Sequence, residues 1–173
     1  PLAPKLPGLN LDLLNLELLR FGKDDLPGLF WSAQCWGGWL TLNLHNPEAF
    51  ADISKVEALM SKALELDESF YHAGPHLFLG TFYGSRSRLL GGDPEKARRH
   101  FERNLELTEN RFLLTHFLYA KTYAVQNQDR ELFDRLIDTV FETPSSVFPQ
   151  QRLANEVAKL KAENLAGMVD ELF

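Results

Sequence analysis

The chain has 173 residues, of which 45% are hydrophobic and 12% aromatic, enough apolar content for one sizeable core. Its formal net charge of −6 argues against nucleic acid as a partner, because that affinity comes from neutralising phosphates with Lys and Arg. It contains no run of about 18 consecutive apolar residues, the length a helix needs to span a bilayer.

Residues 1–8 hold three prolines and read as an extended arm. The chain opens on Pro1 rather than Met, which reads as a trimmed form with any leader removed. From Leu9 to Phe21, leucines recur at 9, 11, 13, 14, 16, 18 and 19, a density that is helical and suited to covering the apolar face of the first repeat. A helix is expected from about Leu26 to Leu44, with Pro27 in its first turn and Asp24 or Asp25 as its cap. It carries Trp31, Trp36 and Trp39. Trp31 and Trp39 share a face, whereas Trp36 points elsewhere, toward a cavity or an interface, with core packing the competing role for these rings. Cys35, the one cysteine, has no internal partner and is expected to be a buried structural thiol. Residues 45–52 are expected to form a connection, followed by a helix with Val56, Met60 and Ala63 inward.

His72 and His76 stand one helical turn apart, a spacing that can chelate a metal. Gly74-Pro75 lies between them and no nearby acid or Cys completes a site, so packing is the expected role and no metal or cofactor is inferred. Leu79-Gly80-x-x-Tyr83 then leads to Ala97-x-x-x-Phe101, the tetratricopeptide arrangement in which a small residue lets two helices approach. Gly80 and Ala97 are 17 residues apart, against 12 for Ala120 and Leu132 in the next copy. The difference is a loop, Ser85 to Asp93. Leu90-Gly91-Gly92-Asp93 lacks the Gly-Lys-Ser/Thr ending of a phosphate loop and reads as a turn. Asp93-Pro94-Glu95 is a helix start with Asp as N-cap and Pro at N1. Arg86, Arg88, Lys96, Arg98, Arg99 and Arg103 concentrate positive charge. On the helix these alternate with Glu95 and Glu102 as a solvated face, and the two loop arginines stand out.

The next copy places His116, Tyr119, Ala120 and Tyr123 on its first helix and Leu132, Leu136 and Thr139 on its second, with Asn127-Gln128-Asp129 as the turn and Pro144 closing. His116 is expected to pack and hydrogen-bond within the stack. Ala63-Leu64-Glu65-Leu66-Asp67 is echoed by Asn104-Leu105-Glu106-Leu107-Thr108, a repetition of register. In the last helix Leu153, Val157 and Leu160 form one stripe beside Ala154, Ala158, Leu165, Val169 and Leu172. The expected fold is therefore all-α, with about three to four tetratricopeptide-like hairpins stacked as a compact solenoid between N- and C-terminal flanking helices. Its single domain covers 9–173, with hairpins at 26–68, 70–109 and 111–144 and a closing helix at 150–172.

Several segments resemble the T component (TatT family) of tetratricopeptide-associated tripartite ATP-independent periplasmic (TRAP) transporters. They are Leu29-Phe30-Trp31, Val56 to Asp67, Leu90-Gly91-Gly92-Asp93-Pro94-Glu95 through Arg103, Tyr119-Ala120-x-x-Tyr123 through Phe133, Arg152-Leu153-Ala154-Asn155 and Asp170-Glu171-Leu172-Phe173. The resemblance implies a periplasmic, usually lipid-anchored protein that forms trimers, docks the substrate-binding P component and carries a cavity. It brings no catalytic motif. The anchor-bearing Cys of the family does not occur in the N-terminal arm.

The expected function is thus a non-enzymatic accessory of solute uptake. It would bind the P component and a small apolar or amphipathic ligand as a homotrimer, touching the membrane only through a lipid anchor outside this chain. Trp31, Trp36, Phe82, Tyr83, Arg86, Tyr123 and Asn127 are the expected cavity residues, with the rings giving apolar contact and Arg86 meeting an anionic headgroup. The competing expectation is a scaffold that reads a peptide in a concave groove.

Overall fold

A computed structural model describes residues 8–43 and 46–173, so the N-terminal arm before Gly8, and Leu44 and His45, lie outside it. The described residues are 81% helix with no strand among them, as the periodicity requires. Two compact units meet in sequence between Phe78 and Leu79.

In the first unit, helix α1 (Leu11–Leu18) starts at Asn10, whose Oδ1 accepts the Leu13 N–H at 2.9 Å, and it buries Leu14 and Leu18. It lies against α3 (Pro47–Leu66), which also pairs with α2 (Leu26–Leu42). Leu29, Phe30, Ala33, Gly37 and Leu40 form the buried face of α2, and Val56, Leu59, Met60 and Ala63 that of α3.

Three expectations from the sequence are corrected by the structure. Cys35 is exposed, because it stands about 200° around the helix from the buried Ala33. Asp25 occupies the N-cap position of α2, but its carboxylate turns back to accept the Gly22 N–H at 3.0 Å and gives no side-chain bond to the helix. Residues 47–52 belong to α3 rather than to a connection.

Helix α4 (Phe70–Gly84) begins with three consecutive left-handed residues, Tyr71, His72 and Ala73, with φ of 47°, 61° and 55°. Non-glycine residues pay about 1–2 kcal/mol each for this conformation. The Ala73 N–H closes the turn on the Ser69 carbonyl at 3.0 Å. Edge-on and tilted packing of Phe30 against Phe70 (5.3 Å) and Tyr71 (5.8 Å) opposes the strain. The right-handed stretch then starts at Gly74-Pro75, with proline in its first turn, where a missing N–H costs little.

The second unit is built on close approach of helices. A Cβ at Gly80 would stand 3.0 Å from the Phe101 ring, and one at Gly84 would stand 3.2 Å from Thr122 Oγ1 and 3.4 Å from Ala97 Cβ. The Gly80–Phe101 contact is the one the repeat pattern predicts. The loop after α4 turns at Gly91 (φ 79°), and Gly92 passes so near the Arg86 carbonyl that any side chain would overlap it. Helix α5 (Pro94–Leu107) comes next, capped by Asp93 Oδ1 accepting the Lys96 N–H at 3.0 Å. Asp93→Ala is expected to lower the unfolding free energy by about 1 kcal/mol in a urea titration.

Helix α6 (Leu113–Leu118) runs directly into a π-helical segment, Tyr119–Ala124. Helix α7 (Arg130–Glu142) is capped by Asp129 and buries Phe133, Leu136, Ile137 and Val140. The closing helix is shorter than expected: α8 (Arg152–Ala166) stops before Gly167, and α9 (Val169–Leu172) is separate. The inner face of α8 is Asn155, Ala158, Ala162 and Leu165. Asn155 ties α8 to two other segments, accepting the Leu113 N–H at 2.9 Å and donating to the carbonyls of Arg111 (3.0 Å) and Ser145 (3.2 Å). Since Phe112 gives α6 no side-chain cap, Asn155 caps that helix from α8.

Candidate functional site: an aromatic cluster edged by cations

In the second unit a group of aromatic rings lies along α5. At the end of α4, Phe82 and Tyr83 meet edge to face at 5.6 Å, and Tyr83 stacks on His100 of α5 at 5.9 Å. On the other side, Phe101 stacks on Tyr119 at 4.7 Å, and Tyr119 meets Tyr123 at 5.2 Å. Cations edge the cluster. The Arg86 guanidinium lies 3.6 Å from the Phe82 ring centre while its Nε donates to the Phe82 carbonyl at 2.9 Å, and Lys96 Nζ is 4.8 Å from the Tyr83 ring.

The π segment carries two of the rings, Tyr119 and Tyr123. Within it the Thr122 hydroxyl donates to the Leu118 carbonyl at 2.7 Å. Tyr119 and Tyr123, four residues apart, lie on one side of this segment, and such segments recur at functional positions. Burial pushes both phenols above their ordinary pKa, with nearby Arg98 pulling the other way. Both therefore remain neutral O–H donors at physiological pH. Asn127 is exposed and donates to the Tyr123 carbonyl at 2.8 Å, closing this stretch. Arg98 pairs with Glu102 at 2.8 Å and Arg103 with Glu106 at 2.6 Å, in keeping with a solvated charged face on α5.

Of the seven expected cavity residues, five fall in this unit. Phe82, Tyr83 and Arg86 touch one another's rings or backbone, as do Tyr123 and Asn127, and the Phe101–Tyr119 stack lies on α5 and the π segment between them. Trp31 and Trp36 belong to the first unit. Trp31 is 44% exposed and packs edge-on against Tyr71 at 5.0 Å, while Trp36 is half-buried with Lys55 Nζ 6.0 Å from its ring. Trp39, at 43% exposed, shares the outward face of Trp31 as the spacing predicts. The residues missed were His100 and Lys96. Their signal was available, since both stand on the same α5 that the motif marks through Ala97 and Phe101.

His76 is buried and hydrogen-bonds the Glu68 carboxylate at 3.1 Å, an acid the linear spacing did not reveal. No group of three metal-ligating side chains occurs among the described residues. His116 is buried as expected, with Nε2 3.3 Å from the Asn110 carbonyl. Burial lowers its pKa below the ordinary histidine value, and the bond to Asn110 offsets this in part. The folded state therefore holds His116 neutral while the unfolded chain protonates it. Its contribution is complete above the unfolded pKa and is lost as pH falls through the folded one. His116→Gln is expected to flatten the fall in urea midpoint between about pH 7 and pH 5.

Fold and cluster together define an all-helical protein whose densest chemistry is aromatic rings bordered by cations. The chain belongs to the TRAP transporter T-component family, whose model matches residues 3–173. No curated protein matches it significantly. Membership assigns an accessory role in TRAP transport, in a family of periplasmic accessory proteins rather than enzymes. No helix among the described residues is long and apolar enough to cross a membrane.

Proposed function

We propose that this protein is a periplasmic, lipid-anchored accessory of a TRAP-type transporter, with its helical hairpins stacked in tetratricopeptide fashion. It self-associates as a homotrimer, docks the substrate-binding P component, and holds a small apolar or amphipathic ligand against the aromatic cluster. The observation that carries this reading is the family match across nearly the whole chain. The cluster around α5 supports the ligand class: stacked rings offer apolar contact, neutral Tyr119 and Tyr123 hydroxyls donate hydrogen bonds, and Lys96 supplies charge for an anionic head.

The test uses a substrate-binding P component of a TRAP transporter from the same source. Immobilised on a sensor, it is expected to retain the purified protein with a dissociation constant in the micromolar range typical of transient partners, about 1 μM. Failure to bind at a hundred times that concentration overturns the docking part of the reading. For the ligand, 1-anilinonaphthalene-8-sulfonate serves as probe, combining fused rings with a sulfonate. Tyr123→Ala is expected to weaken its binding about tenfold, the loss of one ring contact worth roughly 1–1.5 kcal/mol. Equal affinity in the variant removes the cluster as the site.

A further inference from the structure

Trp31 lies outside the aromatic cluster around α5, yet the first unit holds it against another half-exposed ring. Trp31 and Tyr71 are 44% and 50% exposed, with ring centres 5.0 Å apart and planes crossing at 71°. Rings at that angle meet as two walls of a corner, each with part of its surface in solvent. Buried Phe30 backs both, at 5.0 Å from Trp31 and 5.8 Å from Tyr71. The left-handed turn at Tyr71–Ala73 carries Tyr71 to this place, so the pair is held at a cost in backbone strain. A corner fixed in advance loses little entropy when a ligand enters.

Charge decides what fits the corner. A ring face is the negative end of the aromatic quadrupole and attracts cations. The two stretches that supply the rings, 24–54 and 63–85, contain no Lys or Arg. Acids flank both rings in sequence: Asp24 and Asp25 precede the helix that carries Trp31, and Asp67 and Glu68 precede Tyr71. In the second unit Arg86 and Lys96 lie over Phe82 and Tyr83, whereas among the described residues no Lys or Arg lies over Trp31 or Tyr71. Burial lowers the pKa of His72, whose ring is 5.5 Å from that of Tyr71, so it adds no charge at neutral pH.

The acids nearest Tyr71 in sequence are engaged within the chain. Asp67 Oδ1 accepts the Ser69 N–H at 2.9 Å and the Ser69 hydroxyl at 2.6 Å, and the Glu68 carboxylate bonds His76 at 3.1 Å. The Ser69 bonds, with help from Lys23, hold the Asp67 carboxyl below its ordinary pKa, so it stays ionised. These acids therefore act on a ligand through their field rather than as hydrogen-bond acceptors. That favours a cation without N–H donors, held by its alkyl groups against the ring faces.

We propose that the Trp31–Tyr71 corner binds a small organic cation of the quaternary ammonium type. It is a separate site from the cluster around α5, whose bordering cations suit an anionic head, and it does not depend on the transport role.

The probe is choline, followed on the whole chain by saturation transfer to its methyl protons. The uncharged molecule of the same shape, 3,3-dimethyl-1-butanol, is the control. Choline is expected to bind with a dissociation constant of about 1 mM, and the alcohol at least about tenfold more weakly. Tyr71→Leu and Trp31→Leu keep an apolar side chain but remove a ring face, and each is expected to weaken choline binding about tenfold. Tyr71→Phe keeps the ring and is expected to bind choline as the native chain does. Circular dichroism establishes that each variant is folded; should Trp31→Leu not be, the two Tyr71 variants decide. Equal affinity for choline and the alcohol overturns the cation site and leaves an apolar corner. Choline binding that the leucine variants leave unchanged overturns the location. No binding at about 100 mM choline overturns the proposal outright. If tetralysine then binds and Tyr71→Leu abolishes it, the corner takes a cationic segment of a partner protein and the small-ligand assignment is wrong.

Discussion

Asn155→Leu is expected to lower the unfolding free energy by about 3–5 kcal/mol, one of the two largest losses expected of a single substitution in this chain. Leucine keeps the same number and branching of heavy atoms, so the cost is not a cavity. It comes from three partners left without Asn155: the Leu113 N–H and the carbonyls of Arg111 and Ser145. Asn155 itself is fully buried, so solvent does not reach its side of these bonds. Each unpaired buried group costs about 1–3 kcal/mol. The urea midpoint measures the total, and hydrogen exchange locates it. Protection of the Leu113 amide should fall more than that of amides in α7, because the variant uncaps α6 and leaves α7 with its own Asp129 cap. A loss below about 1 kcal/mol would mean that other groups satisfy these partners and that Asn155 is not the cap.

The contrast between Asn155 and Asp93 shows what the sequence made legible. Asp93 caps the helix that begins at its own neighbour, so Asp-Pro-Glu announced it. Asn155 caps a helix that starts 42 residues earlier in the chain, and no local pattern carries that information. The Gly80–Phe101 contact was readable because the repeat motif encodes it at a fixed spacing. Cys35 was misjudged for a physical reason: α2 is apolar on nearly every side, so its residues do not mark which face is buried. The left-handed turn at Tyr71–Ala73 was not legible either, since non-glycine residues adopt it only under constraint from their surroundings, here the rings packed on Phe30. In the aromatic cluster, helix faces supplied Tyr83 and Tyr123. The stack of Phe101 on Tyr119 joins two helices through a tertiary contact, and the π segment that carries Tyr119 is not anticipated by a periodicity of 3.6.

Phe101→Ala is expected to destabilise the second unit by about 3–5 kcal/mol, the range for truncating a fully buried phenylalanine. The site has little capacity to collapse. Gly80 approaches the ring from α4 with only its backbone, so no side chain there can move in to fill the space, and Tyr119 loses the face it stacks on. Phe101→Leu retains part of the volume and is expected to cost less, about half as much, which separates packing from ring stacking. All three tryptophans precede Phe78, so tryptophan fluorescence reports the first unit while far-UV circular dichroism reports helices throughout. The dichroism midpoint in urea is expected to fall for both variants. Tyr123, which meets Tyr119 edge-on, should also lose affinity-determining order, so 1-anilinonaphthalene-8-sulfonate binding is expected to weaken in Phe101→Ala at urea concentrations where the protein is still folded. Unchanged probe binding together with the expected loss of stability would separate the two roles, leaving Phe101 as core and moving the ligand away from the Tyr119–Tyr123 pair.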